Sequence, residues 1–575
     1  MTSMFAASRP RAIQKPDEGR PLVTKNWTSG HSYVVLAALT LTCLVPFSGK
    51  PFHVDDPLFV WTAQQIVQHP LDPYGFRVVW YTSSMPASEV VKNPPLASYY
   101  MAGIGMSAGW SERSLHVGFL LPALVVVLGT YYLASRCTQN PLLAGAATLL
   151  TPGFLVSSTN VMCDTMMLAV WILAIILWVE GLDRAKPLLL AGSALFISLC
   201  ALTKYFGMAL VPLLMAYSVA RKRRFGSWAV YLLIPLVLLA AYQYWTRTLY
   251  GKGLLADAAG YAHSQNIQPG DSRVAKTVVG FGFVGGCALT GLTYATLLWS
   301  RRKIFLGLTV AGLAGVACAE GWIPVAFTGE HWNWVCTQLA FFVFGCISIL
   351  ALPIADWWKQ KDDPQSLLLA LWVVGTFVFA VFVNWTVNAR SVLPLIPAVG
   401  ILLARRVDPM TLRWRPRQML KLLVPLAVAG IASLWITWAD AQLADTARLA
   451  ARHIQEKVGN YTSRVSFEGH WGFQYYMQSF GFRPVDFSSY DFEDGNLVVL
   501  PGNNDNVNDF PPEFIASRQV FKFDMKAGAA TIQSAMGAGF YSDVWGPLPY
   551  AFGPVPPENY SVVWLTSPPP ANLQP

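Results

Sequence analysis

Asp55 and Asp56 stand side by side in Phe52-His53-Val54-Asp55-Asp56-Pro57, shortly after an uncharged apolar run, Tyr33 to Phe47. If that run crosses a membrane, the acid pair lies at the lipid–water boundary, where charge commonly marks function. A carboxylate there can deprotonate or orient an acceptor hydroxyl or amine. Two together can divide the roles of base and metal ligand. The structural alternative is capping: Asp56 before Pro57 would start a helix over Leu58–Val67 and leave Asp55 free.

Cations on the same side point to an anionic substrate. Lys204, in Leu202-Thr203-Lys204-Tyr205, and Arg390, in Asn388-Ala389-Arg390-Ser391, both end apolar runs on the face that otherwise has few Lys or Arg. A cation kept there suggests a lipid-linked phosphate, with ordinary headgroups as the plainer partner. Lys92, in Lys92-Asn93-Pro94-Pro95-Leu96, is a third phosphate candidate, though a lone interfacial Lys often just snorkels. His53, Asn93, Tyr99, Asn160, Asp164, Tyr205 and His263 complete the candidate pocket. His53, His263 and Asp55 form a candidate zinc set. His470 and Trp471 are read as packing residues.

The elements that must position these groups are membrane helices. The chain of 575 residues is 54% hydrophobic and only 13% charged, with a mean hydropathy of +0.40. A soluble domain carries about 25% charged residues. The net charge of +9 falls in short clusters between apolar runs, which fits the positive-inside rule and argues against nucleic-acid binding. The 22 Trp and 22 Tyr suit interfacial belts. The eight cysteines show no CxxC spacing and read as apolar packing residues.

Counting runs against Lys/Arg clusters gives about thirteen spans with the N-terminus inside and the C-terminus outside. The runs are Tyr33–Phe47, Leu115–Ala134, Pro141–Ser157, Thr165–Val179, Leu188–Leu202, Phe206–Val219, Val230–Tyr244, Val278–Leu298, Ile304–Ala319, Val335–Ile354, Leu367–Val383, Val392–Leu403 and Leu420–Trp438. Arg221–Arg224, Arg301–Lys303 and the arginines at 405, 406, 413, 415 and 417 then all face the inside. The expected division is a cytoplasmic tail (1–30), a membrane domain (31–438) with a large first outer loop (49–114), and a small outer α/β domain (439–575). That domain has a helix over Ala439–Val458, strands at Arg464–Phe467 and Asn496–Leu500, and a disordered tail, Ser567–Pro575. Composition and layout suit a bacterial inner membrane with a periplasmic C-terminal domain.

In order along the chain, these features resemble the GT-C superfamily of integral-membrane glycosyltransferases, in the branch with protein O-mannosyltransferases and the lipid A aminoarabinose transferase. The resemblance is carried by Asp55-Asp56, Asn93-Pro94-Pro95-Leu96, Asp164, Leu202-Thr203-Lys204 and the stretch Arg390 to Pro397. It covers residues 30–405 well and the C-terminal part weakly. Relatives often have Lys-Pro-Pro-Leu where Asn93 stands here, with Lys92 one position earlier. The resemblance implies transfer of a hexosyl or pentosyl group from a polyprenyl-phosphate donor to a lipid, glycan or protein acceptor on the outer face. Asp55 would be the catalytic carboxylate with Asp56 its neighbour, and Lys204 and Arg390 would hold the phosphate. It leaves the cofactor open, with a divalent metal ion as the candidate. The competing class is a polyprenyl-lipid flippase or other multispan transporter; the paired, broken half-helices typical of transporters are not evident. A membrane scaffold protein, which would need no Asp55, is the third class.

Overall fold

The computed structural model describes residues 28–266, 272–327, 329–411, 416–458, 464–489 and 495–566. Most of the expected N-terminal tail, the arginines at 413 and 415, and the tail Ser567–Pro575 lie outside the described residues. Among the described residues, eight helices are long and apolar enough to cross a membrane. They are Gly30–Phe47, Glu112–Ala134, Cys163–Asp183, Trp228–Tyr250, Arg301–Ala319, Trp332–Lys359, Pro364–Val383 and Leu420–Val458.

The other five runs of the expected thirteen are helical as well, but short or broken. Pro141–Leu149 and Pro152–Ser158 are bent 62° apart. Pro187–Thr203 has 17 residues. A 3-10 turn, Tyr205–Ala209, precedes Leu210–Lys222. The run Val278–Leu298 divides into Arg273–Cys287, Thr290–Thr293 and Ala295–Leu298. Short turns, Ala389–Val392 and Leu393–Leu395, lead into Ile396–Thr411. Pro152 and Pro394 stand at two of these breaks and supply no backbone N–H to bridge them. Irregular backbone is tolerated at membrane depth only when buried in protein, and residues 143–165 are buried almost without interruption.

Cys163–Asp183 is the central helix, with 78% of its apolar window buried, whereas Arg301–Ala319 lies at the rim with 22%. Without a hydrophobic drive inside lipid, such helices associate by close packing. The closest approach is between Arg273–Cys287 and Trp332–Lys359. A Cβ at Gly285 would overlap the carbonyl oxygen of Phe342, and Gly345 faces Gly285 from the other side.

The first outer loop holds the helix Asp56–Gln68, a hairpin pairing Arg77–Val79 with Ser84–Pro86, and the helix Leu96–Ala108. The expected boundary at 438/439 falls inside one continuous 39-residue helix, Leu420–Val458. Beyond it, a five-stranded mixed sheet runs in the order Arg483–Pro484, Val465–Phe467, Leu497–Pro501, Glu558–Leu565, Ile515–Phe523. Both expected strands are present in it. The segment between the last two strands in chain order returns to the membrane helices: Ala530, Ile532, Phe540, Tyr541 and Tyr550 belong to the same apolar core as the bundle.

Gly285→Val is expected to lower the thermal midpoint of the detergent-purified protein by the equivalent of about 3 kcal/mol, the upper range for overpacking a tight contact. Gly312→Val, where nothing lies within 4 Å, should leave the midpoint unchanged. Equal effects would show that the Gly285 crossing is not tight.

Candidate functional site

Val54 has a φ of +47°, an unusual left-handed conformation for a β-branched residue. The turn separates the two carboxylates. Asp56 opens the helix Asp56–Gln68 and is fully buried. Its Oδ2 accepts the His53 N–H (2.9 Å) and its Oδ1 accepts the Val161 N–H (3.0 Å). Asp56 therefore pins the first outer loop to the turn before Cys163–Asp183, out of reach of a substrate; its expected place in a catalytic pair is corrected to a structural one. Asp55 occupies the N-cap position but makes no cap bond. Its Oδ2 accepts a hydrogen bond from Arg390 Nη1 at 2.8 Å, with 29% of its side chain exposed. The expected cap shifts by one residue: Asp56 is the first residue of the helix, and Asp55 stands at the N-cap position with a side chain that turns to Arg390 instead of capping.

Arg390 sits on the short helix Ala389–Val392, whose N-cap Asn388 accepts the Ser391 N–H. Its Nη1 also donates to Met162 Sδ (3.0 Å), and its guanidinium lies 5.7 Å from the centre of the Tyr541 ring. Lys204 ends Pro187–Thr203 in extended backbone and donates from Nζ to Asp164 Oδ1 at 2.6 Å. Asp164 Oδ2 is buried without a hydrogen-bond partner among the described residues. Lys92 and Lys252 converge on Asp257, at 2.6 and 3.0 Å, and Lys92 Nζ lies 5.4 Å from the Tyr261 ring centre.

Lys92, Asp164, Lys204, Tyr261 and Arg390 line a cavity of about 840 Å³, and Asp55 stands behind Arg390 rather than in the lining itself. Lys92, Lys204, Arg273, Lys276 and Arg390 give it five cations, against the carboxylate of Asp164; Leu255, Phe379, Phe382, Val383 and Trp385 give it an apolar wall. Of the sequence candidates, Asn93, Tyr205 and His263 also line it. Arg273, Lys276, Asn384 and Asn388 line it too and were missed. Arg273 and Lys276 lie between the apolar runs Val230–Tyr244 and Val278–Leu298, and the reasoning that singled out Lys204, a cation on the face poor in them, applies to both.

Three candidates lie elsewhere. Tyr99 donates its hydroxyl to the Pro70 carbonyl and braces the outer loop. Asn160 is buried, accepting from Lys50 Nζ at 2.6 Å and donating to Tyr541 OH at 2.9 Å. His53 is buried with Nε2 3.6 Å from Asp440 Oδ1. These groups belong to a buried network that no local sequence pattern marks. Lys50 Nζ donates to Asp440 Oδ2 at 2.6 Å, and Asp440 also accepts from Thr531 Oγ1 (2.7 Å) and Tyr541 OH (3.0 Å).

The candidate metal set does not assemble. His53 faces Asp440 and Asp55 faces Arg390, while among the described residues no three His, Cys, Asp or Glu side chains converge in a geometry that could hold a metal ion. No step is assigned to a metal.

Burial pushes the Asp56 carboxyl up to about 7, against the opposing pull of Lys50 and its two backbone donors. Burial pulls the His53 imidazole down to about 4, despite Asp440. The two groups load stability in opposite directions. Between about pH 4 and 7 the folded state holds an Asp56 proton that the unfolded state has lost, so this contribution weakens as pH rises. Between about 6.5 and 4 the unfolded state gains a His53 proton that the folded state refuses, so that contribution weakens as pH falls. Asp56→Asn should therefore make thermal stability rise more steeply from pH 4 to 6.5 than in wild type, and His53→Gln should make it fall from pH 4 to 7. Midpoint profiles parallel to wild type in both variants would contradict these assignments.

Residues 92–245 match the family model described as dolichyl-phosphate-mannose-protein mannosyltransferase. The match includes Lys92, Asn93, Asp164 and Lys204 and excludes Asp55 and Arg390. No curated protein matches the sequence. Among solved structures, the chain is similar to ArnT from Cupriavidus metallidurans in the apo state, at 14% identity over 75% of this chain and 73% of that one, with a TM-score of 0.43. It is similar to the same protein bound to undecaprenyl phosphate, at 15% identity over 74% and 72%, with a TM-score of 0.40. It is also similar to the Archaeoglobus fulgidus oligosaccharyltransferase tethered to an acceptor peptide, at 12% identity over 80% and 64%, with a TM-score of 0.47.

Proposed function

We infer that this chain, an integral-membrane protein of the GT-C glycosyltransferase superfamily, transfers a sugar from a polyprenyl-phosphate donor to an acceptor on the outer face of the membrane. The observation that carries this reading is the cavity itself: five lining cations, one of which, Arg390, is paired with Asp55, and an apolar wall of Phe379, Phe382, Val383 and Trp385. A lipid phosphate needs both. The family matched over residues 92–245 is named for a sugar on such a phosphate.

In the proposed reaction, the acceptor oxygen or nitrogen attacks the anomeric carbon of the donor. A new bond forms there as the bond from that carbon to the phosphate oxygen breaks. The electron pair leaves with the polyprenyl phosphate, and the acceptor's proton passes to Asp55. Lys204 and Arg390 hold the phosphate and stabilise the charge that develops on it. Lys92, already bound to Asp257, adds positive field at the rim. Arg390 touches both Asp55 and the cavity, so it aligns base and leaving group together. The carrier's tail lies along the apolar wall and need not leave the lipid.

The orientation proposed is N-terminus inside and C-terminal part outside, in a bacterial inner membrane. Its support is the polarity of the central helix. Asp164 of the cavity stands at one end of Cys163–Asp183; at the other, Asp183 pairs with Arg136 and Arg221. The basic clusters thus collect at the end remote from the cavity, as the positive-inside rule requires.

The test uses the full chain in lipid nanodiscs, radiolabelled polyprenyl-phosphate sugars and a membrane extract as acceptor pool. Wild type should move label to a new product, and Asp55→Asn should lower the rate at least about 100-fold, the low end for removing a general base. Equal transfer by both would remove Asp55 from the chemistry. No transfer from any donor, with carrier crossing the bilayer in proteoliposomes, would replace the transferase with a flippase.

A further inference from the structure

We propose that Tyr541, delivered by the C-terminal part of the chain, is a positioning residue that holds Arg390 against the donor phosphate; this rests on the donor site proposed above. The segment 538–550 is hydrogen-bonded to the turn 386–388 and to the first residue of the short helix Ala389–Val392. Ala389 N–H donates to Phe540 O (2.9 Å), Asp543 N–H donates to Val387 O (2.9 Å), and Val387 N–H donates to Asp543 Oδ1 (3.1 Å). Thr386 Oγ1 meets Ser542 Oγ at 2.8 Å. Tyr541 lies in the middle of this seam and is nearly fully buried.

Its two ends do different things. The hydroxyl donates to Asp440, 3.0 Å from Oδ2, and accepts from Asn160 Nδ2 at 2.9 Å, which fixes the ring in the Lys50–Asp440 network. The ring face lies 5.7 Å from the Arg390 guanidinium carbon, within the range of a cation–π contact. Arg390 Nε is buried and has no hydrogen-bond partner among the described residues. Its orientation therefore depends on Nη1, shared between Asp55 and Met162, and on the ring. A planar guanidinium stacked on an aromatic face presents its donors in a fixed direction, which an ammonium cannot do. The sequence far from the membrane spans thus completes the site at their ends.

The experiment measures binding of tritiated polyprenyl phosphate, carrying no sugar, to the full chain in nanodiscs, alongside donor KM and kcat. Tyr541→Phe loses the hydroxyl's bonds but keeps the ring, which the backbone bonds at Phe540 and Asp543 still hold beside Arg390, and should weaken carrier affinity and raise KM by no more than about threefold. Tyr541→Leu removes the ring and should weaken both about tenfold, with kcat changed less. In an Arg390→Lys background, Tyr541→Leu should add nothing further, because the ring acts through the guanidinium. Equal losses in Phe and Leu variants, or a full additional loss in the Arg390→Lys background, would overturn the proposal and leave Tyr541 a purely structural residue. Wild type that binds no carrier at all would overturn the donor site and this inference with it.

Discussion

The rest of the site depends on one buried ion pair. Lys50 and Asp440 have no exposed side-chain surface and meet at 2.6 Å. Lys50 stands just after the first span, and Asp440 about halfway along the long helix Leu420–Val458. Removing one partner of such a pair leaves an uncompensated buried charge, at a cost of about 3–5 kcal/mol. The pair is affordable because its remaining hydrogen-bonding capacity is used: Asn160 takes another Lys50 proton, while Thr531 and Tyr541 satisfy Asp440. It joins the first loop, the turn before the central helix, the last helix and the segment 530–541 at a single point. Asp55 and Arg390 are positioned from that point, Asp55 through the Asp56 loop and Arg390 through Tyr541.

A second constraint is charge balance in the cavity. Three of the five lining cations already have a carboxylate: Lys92 with Asp257, Lys204 with Asp164, Arg390 with Asp55. These pairs keep the cations in place when the cavity holds no anion. An arriving phosphate exchanges carboxylate contacts for its own and leaves Asp55 able to accept a proton. Arg390 is the hinge of that exchange, since it faces both partners.

Much of this site could be read from sequence, and the part that could not has a physical reason. Asp55, Lys204 and Arg390 stood out because each is a charge at the end of an apolar run on the face poor in cations. Lys50 is charged too, but its partner is 390 residues away and sits in a stretch that reads as an ordinary amphipathic helix. No local pattern marks a pair closed only by the fold. Asp55 and Asp56 looked equivalent as neighbours; in the fold one meets the Arg390 guanidinium and the other two backbone amides. The thirteen apolar runs are all helical, yet among the described residues eight helices are full-length candidates, because hydropathy registers apolar length and not the breaks at Pro152 or Pro394. The role of the C-terminal part was hidden for the same reason as Lys50. Its return to the membrane bundle depends on side chains such as Phe540 and Tyr550, which any small outer domain could carry in its own core.

The most direct measurement is a cryo-EM structure of the full chain in nanodiscs with a non-transferable polyprenyl-phosphonate sugar. The expected result places the phosphonate within hydrogen-bond distance of Lys204 and Arg390, the anomeric carbon facing Asp55, and the polyprenyl tail along Phe379, Phe382 and Trp385. A headgroup bound away from this cavity, or one seated with its sugar turned from Asp55, would contradict the assignment of the donor site.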